Sequence, residues 1–410
     1  MEHQFIKHRD IVLFSFQPWE SDIAFNFKDM AFELAKNNRV LFINRARDRN
    51  SLLRNALDKR GVPPGGGVGA RKKGRNLQQI QEGFWLLHPA SILESINWSP
   101  SYRLYDFVNR INNKRLAGEI AEAIEELDFE DIIFINDNDF FRGVYQKELI
   151  PCEKYIFYIR DFLTIQPFFK KYGPRFEKKM FQKSDMVVAN SAYLAEYARQ
   201  WNRNSFDIGQ GCHLENFIVD NLPMPEDLRN IPRPVIGYCG AVTSMRLDAA
   251  VIEYIAASLP DCSVVLVGPM DAQFEKNDFR GLKNIYKLGG KEPGQIPDYV
   301  YHFDICINPQ AINQLTIGNY PRKIDEYLAA GKPVVATATD AMKMFSDHTF
   351  LCSSKEDYIS QINMIFSDKK LFSGEERLRR RNFALEHTWE NCIGCLGDAY
   401  YKTSYAEKMV

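Results

Sequence analysis

An α/β fold built from two doubly wound parallel-sheet domains is what this sequence predicts, on three observations. Short apolar runs of strand length alternate with amphipathic stretches through both halves of the chain, the pattern of parallel strands buried on both faces and joined by helices. The alternation breaks once, at Asn221-Leu-Pro-Met-Pro-Glu-Asp-Leu-Arg-Asn-Ile-Pro-Arg-Pro234, which carries four prolines and no periodicity and reads as a linker. And 410 residues are too many for one ordinary core.

Strands are expected in the first half at 11–16, 40–43, 84–88, 132–136, 155–158, 186–189 and 206–208, with helices at 25–36, 115–127 and 192–201 between them. After the break, strands are expected at 235–239, 264–267, 285–287, 305–308, 334–336 and 350–352, with helices at 248–258, 298–301, 321–330 and 356–366. The domains read as 1–220, a linker 221–233, a second domain 234–385, and a helical tail 386–410 returning to the first domain. The segment Gly61-Val-Pro-Pro-Gly-Gly-Gly-Val-Gly-Ala-Arg-Lys-Lys-Gly-Arg75 cannot bury a core and is expected as a surface loop.

Composition excludes several classes. With 45% hydrophobic and 13% aromatic residues the chain is globular, and its net charge of −1 implies no nucleic-acid partner. No apolar run has the length needed to span a bilayer, and no signal peptide is expected at the N-terminus. Eight cysteines in so long a chain are no disulfide scaffold; Cys239, Cys262 and Cys306 read as small buried hydrophobes, and a reducing cytoplasm is the expected home. The glycine fingerprint of NAD enzymes is missing, since Gly237-Tyr-Cys-Gly240 is not GxGxxG, and there is no P-loop.

The segment Asn319-Tyr-Pro-Arg-Lys-Ile-Asp-Glu-Tyr-Leu-Ala-Ala-Gly-Lys-Pro-Val-Val-Ala-Thr337 is the most informative. Pro321 suits the first turn of a helix, Gly331 a left-handed C-cap, and Pro333 blocks continuation. Lys323 falls in the first turn, where the helix dipole disfavours a cation, and Glu326 projects from nearly the same face. A cation there is explained by an anion arriving from outside, with the glutamate free to accept sugar hydroxyls. An ordinary solvated i,i+3 pair is the alternative.

In order along the second half stand Pro234-Val-Ile-Gly-Tyr-Cys-Gly-Ala241, Ser263-Val-Val-Leu-Val-Gly-Pro269, His302-Phe-Asp-Ile-Cys-Ile-Asn-Pro309 and the Asn319 segment. Together they resemble the donor-binding domain of GT-B glycosyltransferases of the retaining family 4 type, in the branch that includes teichuronic-acid and capsule enzymes. Tyr158-Ile-Arg-Asp161, Lys183-Ser-Asp-Met-Val-Val-Ala-Asn-Ser191 and Gln210-Gly-Cys-His-Leu-Glu-Asn-Phe217 match the N-terminal half in outline. The resemblance implies two Rossmann-like domains facing a cleft and a glycosyltransferase of hexosyltransferase type acting in surface polysaccharide biosynthesis. It also implies a UDP- or GDP-sugar donor on the second domain, a glycan or lipid-linked acceptor on the first, and no metal or other cofactor. It implies that Glu326 contacts the donor ribose, that Lys323 and Arg246 neutralise the diphosphate, and that Gly240 lets the backbone approach it, with Asn319 and Pro321 beside them. The family's first glutamate is absent, replaced by Gly318 eight residues before Glu326, and Gln210-Gly211 stands for the usual Asn-Gly.

Such chemistry needs positive charge at the departing phosphates and an acidic residue to deprotonate or orient the acceptor hydroxyl. Asp161, after an apolar strand, is the candidate; it reads equally as a structural partner of Arg160. Asp137-Asn-Asp139 is an Asp-x-Asp at a strand end, read as an acceptor-side candidate or as a helix cap. His213 in the Gln-Gly-Cys-His loop is a further acceptor-side candidate. Two basic stretches remain: 45–75, net +8, and 168–183, net +5 with Phe168, Phe169, Phe176, Met180 and Phe181 interleaved. They suggest an anionic membrane surface at the inner face of the cell membrane, against a solvated face as the alternative. Two other functions share the architecture: a nucleotide-sugar epimerase and a non-catalytic binding protein.

Overall fold

The computed structural model describes residues 3–20, 26–50, 76–314, 316–318 and 320–408. The segment 61–75, most of the basic stretch 45–75, and Asn319 lie outside the described residues. The chain divides into two compact units, Met1–Gly211 with Trp389–Val410, and Cys212–Thr388.

The first unit contains β1 (Asp10–Ser15), β2 (Arg39–Ile43), β3 (Arg47–Asp48), β4 (Leu77–Gln81), β5 (Phe84–Leu87), β6 (Ile92–Leu93), β7 (Ile133–Asp137), β8 (Lys154–Ile159), β9 (Met186–Ala189) and β10 (Ser205–Asp207). Eight of these form one sheet in the order β10-β9-β8-β7-β1-β2-β5-β4, parallel except for β4 on β5, while β3 and β6 pair separately. Successive side chains alternate between two buried faces. Val12, Phe14, Leu41, Ile43 and Phe134 enter one core with Leu116, Ile120 and Ala123 of the helix Tyr102–Glu126. Ile11, Leu13, Val40, Phe42, Ile133 and Ile135 enter the other with Phe27, Met30 and Leu34 of the helix Asn26–Ala35. The C-terminal helix Trp389–Lys408 packs on this second face through Trp389, Cys392, Ile393 and Leu396. Cys392 is thus core, and its Cys-x-x-Cys is a helix face rather than a metal or redox pair.

The helix Gly173–Lys183 corrects the membrane argument. Phe176, Glu177, Met180 and Phe181 point inward, and Phe169 is buried beside them; among the interleaved aromatics only Phe168 is exposed. The spacing of these aromatics is that of an amphipathic helix facing its own core. Most lysines are engaged as well: Lys178 lies 3.9 Å from the Trp201 ring centroid, Lys179 Nζ lies 3.5 Å from Asp106, and Lys183 pairs with Glu148. Among the described residues no helix is long and apolar enough to cross a membrane.

The second unit carries β11 (Val235–Cys239), β12 (Ser263–Val267), β13 (Ile285–Gly289), β14 (Ile305–Asn308), β15 (Val334–Thr337) and β16 (Phe350–Cys352). All are parallel, in the order β13-β12-β11-β14-β15-β16. This is the classic doubly wound order, and the direction of winding reverses between β11 and β14. Within the proline-rich segment 221–233, Leu228 and Ile231 are buried in this unit's core.

Candidate functional site

Ligands of open α/β sheets bind outside the carboxyl ends of the strands where the winding reverses. In the second unit that point lies between the loop after β11, which carries Gly240 and Arg246, and the segment after β14, which leads into the helix Lys323–Ala329. The helix begins at Lys323 rather than Pro321: Pro321 lies in the preceding turn, its carbonyl accepting the Ile324 N–H at 2.8 Å. It ends at Gly331, φ +73°, in a Schellman arrangement, with Gly331 N donating to Leu328 O (2.8 Å) and Lys332 N to Tyr327 O (3.0 Å).

Tyr327 fastens this helix to the sheet. Its buried hydroxyl accepts the Cys239 N–H at 2.7 Å and lies 3.1 Å from the Cys239 carbonyl. Lys323 is thereby held beside Gly240. Gly240 has φ +140°, and a Cβ there would stand 2.9 Å from Lys323 Cε. Gly268, φ +141°, lies so close that a Cβ would fall 1.8 Å from Gly240 O. Side chains at either position would close the space beside the lysine.

The Lys323 ammonium sits 5.3 Å from the Tyr238 ring centroid and has no carboxylate or hydrogen-bond acceptor among the described residues. Burial, together with the Arg246 cation and against the attraction of Glu326, pushes its pKa down to about 8. Arg246 is exposed and makes no ion pair among the described residues. Its loop is strapped to the chain after β14 by Ala311 N donating to Arg246 O at 2.9 Å. Lys323 and Arg246 lie near enough to repel one another, and Glu326, which attracts Lys323, is paired with Arg322, so the two cations leave a place for an anion. Glu326, one turn along, has its carboxylate 3.2 Å from Arg322 Nε.

Asp325, which the sequence reading passed over, anchors the other face of the helix. It is wholly buried, with Tyr320 Oη at 2.7 Å, His387 Nδ1 at 2.7 Å and Cys212 Sγ at 3.6 Å. Burial pushes its carboxyl up and His387 opposes this. The signal was present: a carboxylate between Ile324 and Tyr327 interrupts an apolar face, and such a group is kept only with partners. His213 is exposed, just beyond Cys212.

In the first unit, the winding reverses between β1 and β7. Asp137, at the end of β7, is wholly buried in a two-pronged pair with Arg160, at 2.5 and 2.9 Å. Asp139 is also buried; its carboxylate accepts the N–H groups of Phe141 (3.2 Å) and Arg142 (2.8 Å) and lies 3.0 Å from Arg142 Nε. The Asp-x-Asp therefore mounts two arginines and caps a turn, and neither carboxylate is presented as an acceptor contact. Asp161 is part-buried after β8, its carbonyl accepting from Asn138 Nδ2 at 3.1 Å. Gln210 is buried, its side-chain oxygen accepting from Asn26 (2.9 Å) and Asn190 (3.2 Å).

Residues 233–368 match the family model described as Glycosyl transferases group 1. Over 234 residues the chain is 26% identical to a Bacillus subtilis (strain 168) protein described as "Putative teichuronic acid biosynthesis glycosyltransferase TuaH", a match covering 53% of this chain and 56% of that one. It thus spans about half the length of that curated relative. Among solved structures, a sucrose-phosphate synthase from Thermosynechococcus elongatus superposes with a TM-score of 0.65 at 16% identity, covering 97% of this chain and 100% of that one. Anabaena Alr3699/HepE in complex with UDP-glucose superposes with a TM-score of 0.60 at 16% identity, covering 98% and 100%. At these identities the likeness shows the fold, which is GT-B.

Proposed function

We propose that this chain, a GT-B protein related to the glycosyl transferases of group 1, moves a hexosyl group from a nucleotide-sugar donor to a glycan or lipid-linked acceptor, with retention, in surface polysaccharide biosynthesis. The observation that carries this reading is Lys323 at the winding reversal of the second unit, beside the Gly240 backbone, repelled by Arg246 and without an ion pair among the described residues. A nucleoside diphosphate supplies the missing negative charge. As the anomeric carbon gains cationic character the departing phosphates gain charge, and the two cations stabilise that change. On this reading Glu326 accepts the ribose hydroxyls, and Pro321 and Asn319 are further donor-side candidates. On the first unit, Asp161 is the candidate to orient or deprotonate the acceptor hydroxyl, and His213 of the second unit is an acceptor-side candidate. The reaction requires no further cofactor on this account.

UDP is the first donor nucleotide to test, since the Anabaena protein is seen with UDP-glucose. UDP and UDP-glucose should raise the unfolding temperature of the wild type, because a ligand that binds only the native state stabilises it. Transfer to a glycan acceptor should accompany binding. Turnover of UDP-sugar without acceptor would instead make the protein an epimerase, and absence of nucleotide binding would make it a non-catalytic GT-B protein.

The reading places the enzyme in the cytoplasm, where activated sugars are made. Contact with an anionic membrane would fall to exposed Trp98, Leu104, Phe107 and Phe168 of the first unit, rather than to the buried aromatics of the helix Gly173–Lys183. These segments adjoin: Asn97 Nδ2 donates to Phe168 O at 2.6 Å, and Lys171 Nζ to Ser99 O at 2.5 Å. Exposed Arg103 and Lys170 flank them. Sedimentation with anionic but not neutral vesicles, lost in Trp98→Ser/Phe107→Ser, is the expected result.

A further inference from the structure

We propose that the sheet edge of the first unit holds an anion subsite, made by Arg45 and Arg142 about the ring of Phe16, that takes an acceptor sugar bearing a carboxylate or a phosphate. This rests on the reading that the first unit binds the acceptor.

The three residues come from the strands that matter. Phe16 follows β1 and Arg142 follows β7, the two strands between which the winding reverses, and Arg45 follows β2, next to β1. This is where an open sheet offers its ligand crevice. The two guanidinium carbons lie 5.7 Å (Arg45) and 5.9 Å (Arg142) from the same Phe16 ring centroid, within cation–π range. The ring is itself packed on Phe169, centroids 5.7 Å apart.

The charges do not cancel. Arg142 is aimed by Asp139, through Nε at 3.0 Å, and its terminal nitrogens have no hydrogen-bond partner among the described residues. The Arg45 guanidinium is exposed and has neither ion pair nor hydrogen bond among the described residues. The acids that act on Arg45 are Asp139, committed to Arg142 and two backbone N–H groups, and Asp48, which accepts the Ser95 hydroxyl at 2.8 Å. The Arg142 cation, more than burial, holds Arg45 below its ordinary value. Two guanidinium groups that share one ring, repel each other and keep unused planar donor edges are matched by a carboxylate or a phosphate. Neutral hydroxyls would leave the like-charge repulsion unrelieved.

The test measures binding of three probes by ligand-observed NMR: methyl β-glucuronide, methyl β-glucoside and glucose 6-phosphate. UDP binding is measured in parallel by calorimetry. The wild type should prefer at least one anionic probe over the glucoside by about tenfold or more. Preference for the glucuronide alone assigns a carboxylate, preference for the phosphate alone assigns a phosphate, and either supports the subsite. Arg45→Gln, which gives up the Phe16 ring contact but no ion pair among the described residues, should remove most of the preference, and Arg45→Gln/Arg142→Gln all of it, with UDP affinity and the circular dichroism spectrum unchanged. Equal binding of all three probes by the wild type, or a preference that survives the double variant, overturns the proposal. If UDP binds while the probes are not distinguished, the subsite fails and the donor reading stands. If the anionic preference holds and no nucleotide binds, the reverse is true.

Discussion

Each unit ends its parallel sheet at a reversal of winding, and the two edges use their acids differently. In the first, the acids are buried and already matched: Asp137 grips Arg160 and Asp139 aims Arg142. In the second, Lys323 has no ion pair among the described residues and is repelled by Arg246, while Glu326, which attracts it, is paired with Arg322. A short acidic motif is thus a poor guide to a site, because its neighbours decide what its charge does. Burying a cation without a partner is costly. Such a cation persists where a ligand brings the anion.

The largest effect expected from this contrast is on stability. Asp137→Ala takes the two-pronged carboxylate away from buried Arg160, and should cost about 3–5 kcal/mol in urea unfolding followed by circular dichroism. Lys323→Met removes a cation that has no partner to strand, so stability should hold or rise. The same variant should lose about 1.5–3 kcal/mol of UDP affinity, the worth of a hydrogen bond to a charged group. Comparable destabilisation by both substitutions would break the contrast, since it would mean that Lys323 is as firmly paired as Asp137.

A finer division lies within the second edge. If Lys323 meets phosphate and Glu326 meets ribose, Glu326→Ala should weaken UDP by roughly 1.5 kcal/mol and leave inorganic pyrophosphate untouched or slightly tighter. The small size follows from Arg322, whose Nε no longer attracts the Glu326 carboxylate once that carboxylate is gone, so that the net positive charge at the site rises. Lys323→Met should weaken both ligands. Calorimetry with the two ligands separates these roles, and equal loss of pyrophosphate affinity in both variants would remove the ribose assignment.

Most strands were legible because parallel strands buried on both faces are continuous apolar runs; Ile305–Asn308 and Met186–Ala189 fall where expected. The strand Leu77–Gln81 was not, because this antiparallel edge strand has no wholly buried residue and reads as polar loop. The helix Tyr102–Glu126 was expected to begin only at Arg115. Its first turns carry Asn109, Asn112 and Asn113, buried polar residues that satisfy Phe141 O, the Glu94 backbone and Tyr145 N, and tertiary partners of this kind leave no local pattern. At the site, Lys323 was visible as a misplaced cation on a helix. Its closeness to Gly240 was not, because that depends on Tyr327 binding the end of β11. Asp137 was misread for the same reason: nothing local says that Arg160, on the neighbouring strand end, will consume it.

The smallest expected effect is a pH dependence that the two edges should not share. Lys323 is a base whose pKa is pushed down to about 8, so its charge is present below that pH and lost as pH rises through it. The terminal phosphate of UDP loses its last proton at about pH 6 to 7, so it gains charge below the range in which Lys323 loses it and works against the fall only near neutrality. UDP affinity should therefore fall between about pH 7 and pH 9, by up to tenfold, one pKa unit being worth 1.36 kcal/mol. Bound diphosphate favours the ammonium, so binding near pH 8 should take up a proton, seen in calorimetry as a heat that varies with the ionisation enthalpy of the buffer. Lys323→Met should lose both the slope and the uptake. At the first edge Arg45 is also held low by a like charge, but from so high an ordinary value that it stays charged throughout. Its preference for an anionic sugar should be flat from pH 7 to 9. A flat UDP profile would show that Lys323 remains charged across the range, and the two edges would then differ in their partners alone.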